Sequence, residues 1–293
     1  MTTRNTAGYT VSLMRNRAAL VAVVLVCLAV SGGAQQPDRV RGVAGPGQAP
    51  AYLALGDSYP YGSDGSGFLP NNDNFWRSYA DFLHQFLDRP LVNAGCPGET
   101  ATSFLGYTGS SCDVVKDAGL LHVDYTGSQM DFAETYLTTH FGVVLVTVQL
   151  GGNDFQEFVA ACQGSVQCIL GGLPGFLTDL ATNVDTIFSR IRNTGYAGPL
   201  ILVEYPATNY QGLGAQLQAL IYPAVEPVVL AYGGQMAPVF ERFQLATEPY
   251  GGDSCAAGLL IMEAGGACNI HPTDAGHQLI SDVIAEVLAG GLP

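Results

Sequence analysis

The stretch Val143-Val144-Leu145-Val146-Thr147-Val148-Gln149-Leu150 carries the strongest strand signal in the chain, and Gly151-Gly152-Asn153-Asp154 follows it directly. Its apolar residues run almost without interruption, whereas a half-exposed strand alternates apolar and polar positions. Continuous hydrophobicity is typical of a parallel strand that helices cover on both faces. The stretch therefore predicts a buried strand inside a parallel sheet.

Shorter apolar runs repeat this signal on both sides of the stretch, at Ala51–Leu55, Leu91–Ala94 and Pro199–Glu204. The segments between them have helical periodicity and are long enough to cross from one parallel strand to the next. Strands that alternate with such helices imply right-handed βαβ units. We predict an α/β fold over residues 51–293, a three-layer α/β/α sandwich around a central, mainly parallel sheet.

Glycine and proline set the expected ends of two helices. A long amphipathic helix is predicted to begin after Gly171–Gly175. A second helical stretch, Gln211–Tyr232, is predicted to be broken by Pro223 and Pro227, because proline lacks the N–H that a helix interior needs.

The composition excludes several classes of protein. The chain has 293 residues, of which 48% are hydrophobic, so it can bury the core of one sizeable domain. The formal net charge is −14, and a surface this acidic repels the phosphates of nucleic acids. We therefore expect no nucleic-acid partner.

The N-terminus has the pattern of a secretory signal. Arg15 and Arg17 precede an apolar run over residues 18–30, and the small residues Ser31–Ala34 follow it. The run is shorter than the roughly 20 residues that a membrane span needs. We predict a signal peptide over residues 1–34, a flexible lead-in over 35–50, and a secreted protein without a stable membrane span. The alternative for the same segment is an uncleaved N-terminal anchor.

Cysteine usage agrees with export. One of the seven cysteines, Cys27, lies in the predicted signal peptide, and the other six fall in three local clusters. Pairing within the clusters is the simplest arrangement, although free thiols or a metal site would also use these residues. We expect no metal, because no C-x-x-C motif or zinc-like histidine spacing occurs. The predicted disulfides are Cys96–Cys112, Cys162–Cys168 and Cys255–Cys268.

Residues that could take part in catalysis lie just after the predicted strands, where parallel sheets bind their ligands. Gly56-Asp57-Ser58-Tyr59 places a serine on a tight turn, and Asn93-Ala94-Gly95-Cys96-Pro97-Gly98 offers a bare glycine N–H. Gly151-Gly152-Asn153 adds a neutral amide donor. Near the C-terminus, His271 precedes Pro272, which is expected in the first turn of the last helix, leaving His271 in a loop. A second Gly-Asp-Ser, ending at Ser254, does not follow a strand and is interpreted as a surface loop.

Four loops that supply serine, glycine, asparagine and histidine in this order resemble those of the SGNH hydrolases, also called GDSL esterases and lipases. The resemblance extends from residue 51 to residue 288. It implies Ser58 as the nucleophile, His271 as the general base, and an oxyanion hole built from Ser58 N–H, Gly98 N–H and Asn153 Nδ2. It also implies hydrolysis of small-molecule, lipid or carbohydrate esters through an acyl-enzyme, without a cofactor.

One position departs from the family pattern. The family usually places an aspartate three residues before the histidine, and this chain has Cys268 there. We expect the main-chain carbonyl of Cys268 to orient His271. The acids Asp253, Glu263 and Asp274 are then expected to contribute little to activity.

Two other functions are compatible with the same sequence. A carbohydrate O-deacetylase of this fold would need a polar cleft, which the segment containing Tyr59, Tyr61, Asn71 and Asn72 could furnish. A catalytically silent binding protein could retain the scaffold, and labelling with a fluorophosphonate would distinguish it from an enzyme. We expect the chain to be a monomer.

Overall fold

The computed structural model describes residues 50–65 and 77–290, so the predicted signal peptide and most of the lead-in lie outside the described residues. The strands are β1 (Ala51–Gly56), β2 (Leu91–Asn93), β3 (Val143–Gln149), β4 (Leu200–Val203), β5 (Gln235–Ala237), β6 (Leu260–Met262) and β7 (Cys268–Pro272). The helices are α1 (Ser58–Tyr61), α2 (Tyr79–Leu87), α3 (Ala101–Phe104), α4 (Cys112–Asp117), α5 (Gln129–Thr139), α6 (Gly152–Ala161), α7 (Val166–Asn193), α8 (Leu213–Gln218), α9 (Ile221–Ala231), α10 (Val239–Thr247) and α11 (Asp274–Leu288).

Five strands form one parallel sheet in the order β2-β1-β3-β4-β5. The stretch from Val143 forms the central strand, and its end is level with that of β1, since Gly56 lies opposite Gln149. Strands β6 and β7 form a separate antiparallel hairpin. The prediction of an α/β fold with a central parallel sheet is confirmed.

Helices cover both faces of the sheet. On one face, side chains such as Tyr52 and Leu145 join a core with residues of α2, α10 and α11, among them Leu83, Phe243 and Ile280. On the other face, Leu53 and Val146 join a core with residues of α5, α7 and α9, among them Met130, Val184 and Val229. Full burial of each large apolar side chain stabilises the fold by about 1.5–3 kcal/mol, so the two cores account for the continuous hydrophobicity of β3.

The predicted boundaries of two helical segments are wrong. Helix α7 begins at Val166, before the glycines. Its buried side continues through Gly171–Gly175 and includes Ile169, Leu173 and Leu180. The stretch over Gln211–Tyr232 divides at Ala219–Leu220 instead of at a proline, so that both prolines lie within α9. Tertiary packing therefore outweighs the local preferences of glycine and proline at these positions.

One stretch of the described residues, Leu213–Ala231, has the length and composition of a membrane-spanning helix. It corresponds to α8 and α9, which are separate helices here. Ile221, Val225 and Val229 of α9 pack in the core with α7. The folded domain thus buries only part of this stretch in its core, since Leu213, Leu220 and Leu230 are exposed.

Three disulfides cross-link the domain. They join Cys96 to Cys112, Cys162 to Cys168 and Cys255 to Cys268, with Cα–Cα distances of 5.4, 5.5 and 5.7 Å. These distances lie within the normal range for disulfides. Disulfides persist in oxidising compartments, so their presence points to an extracellular protein.

Candidate active site

The order of the strands creates a crevice at one edge of the sheet. The chain passes from β1 to β2 on one side and then returns to place β3 on the other side of β1. At such a switch point, the loops that follow the two central strands diverge and leave room for a ligand. A cavity of about 330 Å³ lies here, and its lining includes Ser58 from the loop after β1 and Asn153 from the loop after β3.

The turn that carries Ser58 is built on a glycine. Gly56 has a φ of +131°, and a Cβ at this position would lie 2.2 Å from the main-chain oxygen of Gln149. The buried side chain of Gln129 accepts a hydrogen bond from the Gly56 N–H at 2.6 Å and donates one to its carbonyl at 2.9 Å. Asp57 then caps α1 by accepting from the Tyr59 N–H at 3.0 Å. Ser58 is held as the first residue of that helix and is only 7% exposed.

The structure brings His271 onto Ser58. Its Nε2 lies 3.0 Å from Ser58 Oγ, although the two residues are 213 positions apart. His271 does not lie in a loop before a first-turn proline, which corrects the sequence-based expectation. Pro272 ends β7, and Thr273 caps α11 with its side chain. The Tyr59 hydroxyl donates to the Ile270 carbonyl, which fastens β7 to the turn that carries Ser58.

The other ring nitrogen of His271 contacts an amide side chain. Nδ1 lies 2.8 Å from Asn269 Oδ1, and the same oxygen accepts the His271 main-chain N–H at 3.0 Å. The expectation that the Cys268 carbonyl orients His271 is therefore wrong. Because β7 is a strand, residues two positions apart face the same side, so Asn269 and not Cys268 shares a face with His271. Burial lowers the pKa of His271, and the negative charge of Asp64 opposes this effect.

None of the three acids named from the sequence contacts His271. The Asp253 carboxylate caps its own turn by accepting from the N–H groups of Cys255 and Ala256. Asp274 lies 4.0 Å from Arg77 on the surface. Glu263 accepts a hydrogen bond from Asn269 Nδ2 at 3.1 Å and so is one residue removed from the imidazole.

A buried polar network surrounds Asp57. Its Oδ2 accepts from the Tyr205 hydroxyl at 2.7 Å and from Asn153 Nδ2 at 3.1 Å. Asn153 Nδ2 also donates to the Glu99 carbonyl at 2.9 Å. Burial raises the pKa of Asp57 to about 7, even though the Tyr205 hydrogen bond acts in the opposite direction. Asn153 is thereby held between the loops that follow β1 and β2.

The predicted oxyanion donors lie in these same loops. Among the described residues, no acceptor takes the main-chain N–H groups of Ser58 or Gly98. Gly98 has a φ of +79°, and a Cβ there would lie 2.5 Å from Ser111 Cβ, so that only glycine fits. Main-chain N–H groups without an acceptor are the kind of donor that an oxyanion hole uses.

The second Gly-Asp-Ser motif is not a surface loop. Ser254 is fully buried, and its Oγ donates to the Ala207 carbonyl at 2.6 Å. The motif packs under the chain that follows β4, where the hydroxyl satisfies a buried carbonyl. His277 has a comparable structural role, because its Nδ1 accepts the Tyr79 N–H at 3.1 Å and burial lowers its pKa to about 3.

The cavity is mostly apolar. Of the residues named for a polar cleft, Tyr59 lines this cavity and Tyr61 is buried against Cys96 and Cys112, while Asn71 and Asn72 lie outside the described residues. The cavity walls beyond Ser58 come mainly from loops and helices after β3 and β4, and they include Leu150, Phe155, Pro206, Ala207, Ala215, Ile221 and Tyr222.

Within the described ranges, one group of potential metal ligands lies close together, since atoms of Cys96, Glu99 and Cys112 are within 4.8 Å of one another. The two sulfur atoms are joined in a disulfide, so neither is a thiolate ligand. Burial raises the pKa of Glu99, which accepts from the Ser103 hydroxyl at 2.5 Å. These three side chains are therefore buried structural residues of the loop that follows β2 and of its neighbour α4.

Sequence reasoning missed three residues of the site. Gln129 and Tyr205 reach it from distant parts of the chain, and no local motif marks either one. Asn269 did leave a signal, since an amide two residues before the histidine shares its face if the segment is a strand. The first-turn proline after His271 predicts a loop there instead.

Comparisons with known proteins agree with the geometry. The model of the GDSL-like lipase/acylhydrolase family matches residues 54–279. None of the curated proteins compared with the chain matches it.

Several solved structures share the fold. A phospholipase A1 from Streptomyces albidoflavus NA297 has a TM-score of 0.54 at 17% identity, over 81% of this chain and 99% of that one. LAE5, an alpha/beta hydrolase from the metagenome of Lake Arreo, has a TM-score of 0.52 at 18% identity, over 84% and 97%. A mutant of Axe2, an acetylxylan esterase from Geobacillus stearothermophilus, has a TM-score of 0.52 at 14% identity, over 82% and 94%. With a match across most of its length, this chain belongs to the GDSL-like lipase/acylhydrolase family.

Proposed function

We propose that the protein hydrolyses carboxylic esters through an acyl-enzyme formed on Ser58. The observation that carries the proposal is the 3.0 Å contact between Ser58 Oγ and His271 Nε2 beside an apolar cavity. A serine hydroxyl at its ordinary pKa is a weak nucleophile, and a hydrogen-bonded imidazole activates it by accepting the proton.

The reaction follows from this pair. Ser58 Oγ attacks the carbonyl carbon of the ester while His271 Nε2 takes the hydroxyl proton. The tetrahedral intermediate collapses, and the proton passes from His271 to the departing alcohol. A water molecule then gives a proton to His271 and attacks the acyl-enzyme, which releases the carboxylic acid and returns the proton to Ser58.

The oxyanion of the tetrahedral intermediate would be held by Ser58 N–H, Gly98 N–H and Asn153 Nδ2. The unpartnered main-chain N–H groups support the first two roles. Asn153 already donates to Asp57 and Glu99, so its contact with the oxyanion would share one of these hydrogen atoms. Loss of one such donor typically costs about 3 kcal/mol in the transition state.

The apolar cavity supports an acyl chain of several carbons as the substrate group. Each methylene that moves from water into such a cavity contributes about 0.8 kcal/mol to binding. The acetyl group of an acetylated sugar would fill little of the 330 Å³, so its sugar would have to occupy the rest beside the apolar walls. Lipid-like or medium-chain esters are therefore favoured over the carbohydrate O-deacetylase alternative.

Hydrolysis of p-nitrophenyl esters tests both the activity and the substrate. We expect kcat/KM to rise by at least about tenfold from acetate to the best medium-chain ester, because several methylenes enter the cavity. Ala215→Trp, which fills the cavity, should remove this gain but spare the acetate. A preference for acetate in the unchanged protein would favour the deacetylase, and the absence of both turnover and fluorophosphonate labelling would favour a silent binding protein.

The pH profile should report His271. The imidazole accepts a proton only when neutral, so activity falls as the pH drops through its pKa, which burial lowers below 6.5. We expect kcat/KM at pH 6.5 to be above half of its plateau value and to decline further at lower pH. Asp57, with a pKa of about 7, is the neighbouring group that could also titrate here. In Asp57→Asn the acid limb should stay in place; if it disappears, the limb belongs to Asp57.

We also propose that the enzyme acts outside the cell. The three disulfides and the signal-like sequence over residues 1–34 support this location.

A further inference from the structure

We propose that Asn269 is the positioning residue for His271, and that Glu263 fixes which end of the Asn269 amide faces the imidazole. The inference rests on the proposed ester hydrolysis by Ser58 and His271. In this proposal, the neutral amide of Asn269 takes the place of the aspartate that the family usually has, and the exposed carboxylate of Glu263 controls the orientation of that amide.

The amide of Asn269 has distinct partners at its two ends. Oδ1 faces two nitrogen atoms, the main-chain N–H and Nδ1 of His271, at 3.0 and 2.8 Å. Nδ2 faces two oxygen atoms, Glu263 Oε1 at 3.1 Å and the Asp64 carbonyl at 3.4 Å. A rotated amide would place its NH₂ against an N–H donor and its oxygen against a carboxylate. Only one orientation therefore satisfies all four contacts.

This orientation selects the useful tautomer of His271. With Asn269 Oδ1 as the acceptor, Nδ1 carries the proton and Nε2 presents its lone pair to Ser58 Oγ. In serine-protease triads, asparagine in place of the aspartate costs about 10⁴ in kcat because the imidazole takes the wrong tautomer. Here the acceptors on the NH₂ side of Asn269 prevent that failure, because they hold its oxygen toward the ring.

The hairpin explains why Glu263 can do this. Met262 is the last residue of β6 and lies opposite Cys268 in β7, so that Glu263 leaves the hairpin beside the start of β7. Asn269 shares a face of β7 with His271, and Glu263 reaches the amide of Asn269 there. An ionised carboxylate only accepts hydrogen bonds and therefore cannot support the rotated amide. Its charge reaches His271 only weakly because Glu263 is exposed to water. Its effect is on orientation more than on the electrostatics of the imidazolium.

Gly65 packs directly against the side chains of His271 and Asn269. A Cβ at this position would lie 2.7 Å from His271 Nδ1 and 3.1 Å from Asn269 Nδ2, and the φ of Gly65 is +78°. The charged groups that face the pair are Glu263 and Asp64, and the aromatic group is Tyr59, whose ring centre is 6.0 Å from that of His271. No other positive or negative side chain of the described residues hydrogen-bonds to the amide.

A cycle of substitutions tests the inference. Asn269→Ala should lower kcat/KM by about 100-fold or more, while Glu263→Gln, which keeps an acceptor oxygen, should cost about threefold or less. In Asn269→Asp the new carboxylate faces that of Glu263, and we expect a loss of about tenfold. Adding Glu263→Gln to Asn269→Asp should recover at least about threefold, because the glutamine can donate to the aspartate. The same change thus has opposite signs in the two backgrounds, which a merely structural role would not produce.

The pH profile and the tautomer provide independent readouts. The acid limb of the double variant should move to higher pH, since a carboxylate beside Nδ1 stabilises the imidazolium. Nitrogen NMR of the unchanged protein should show neutral His271 with its proton on Nδ1, and Asn269→Ala should show a mixture. Met262→Ala, on the same hairpin but with a half-exposed side chain, is the matched control and should change neither measurement.

The outcomes separate the two proposals. An Nδ1–H tautomer that persists in Asn269→Ala, or Glu263→Gln acting with the same sign in both backgrounds, would overturn the positioning role. A chain that has the expected tautomers but hydrolyses no ester would contradict the proposed function and still support the positioning role of Asn269.

Discussion

Ser58→Ala is expected to reduce ester hydrolysis by roughly 10⁵-fold or more and to leave the fold intact, because alanine removes the nucleophile and no other packing. Ser58 Oγ bonds to His271 Nε2 and to no other atom among the described residues, so that its loss orphans no buried carbonyl. Steady-state hydrolysis of a medium-chain ester measures the loss. The circular dichroism spectrum and the midpoint of urea unfolding show whether the fold remains.

Ser254→Ala is the matched control, because it changes the other serine that follows Gly-Asp. It deletes the hydrogen bond to the Ala207 carbonyl, which should lower the free energy of unfolding by about 1–3 kcal/mol while activity persists. Fluorophosphonate should label the unchanged protein and Ser254→Ala, but not Ser58→Ala. Labelling that disappears in Ser254→Ala instead would show that the nucleophile has been misassigned.

Gly56→Ala is expected to destabilise the protein by at least about 3 kcal/mol, which is a large fraction of the stability of a typical domain. The new Cβ would lie 2.2 Å from the Gln149 oxygen and 2.9 Å from the Gln149 nitrogen, both main-chain atoms of the adjacent central strand. The φ of +131° is also strained for any L-residue with a side chain. Urea unfolding of the purified variant, or its loss from the soluble fraction, would measure the effect.

Gly171→Ala supplies the comparison, since it makes the same chemical change inside α7 where no atom lies within 4 Å of the new Cβ. Alanine favours a helix interior over glycine, so the free energy of unfolding should rise by about 0.5–1 kcal/mol. If Gly56→Ala were as well tolerated as Gly171→Ala, the tight approach of β1 to β3 would not be the reason for the glycine.

The site could be predicted from the sequence where its residues follow strands. Ser58 and Asn153 each come directly after an apolar run, and parallel strands bring their ends to one edge of the sheet. Structure then brings His271 to within 3.0 Å of Ser58 Oγ. The catalytic roles of these residues stay predictions until the substitutions are measured.

Residues that reach the site from the sides could not be predicted in this way. Gln129 holds Gly56 from the start of α5, and Tyr205 meets Asp57 from a position 148 residues away. Their contacts depend on how helices and loops dock against the sheet, and a single polar residue in the sequence does not specify its partner. Ser254 shows that a local motif does not specify its surroundings either, because Gly-Asp precedes both Ser254 and Ser58 in sequence but the two serines lie in different environments.

The layered α/β fold follows from the amino-acid sequence, since continuous apolar runs separated by amphipathic segments bury their surfaces as a parallel sheet between helices. The order of the loops that carry serine, glycine, asparagine and histidine follows from it as well. The partner of His271 Nδ1, in contrast, depends on tertiary packing. Pairing of β6 with β7 turned the segment after Cys268 into a strand, and the twofold alternation of a strand then placed Asn269, rather than the Cys268 carbonyl, against the imidazole.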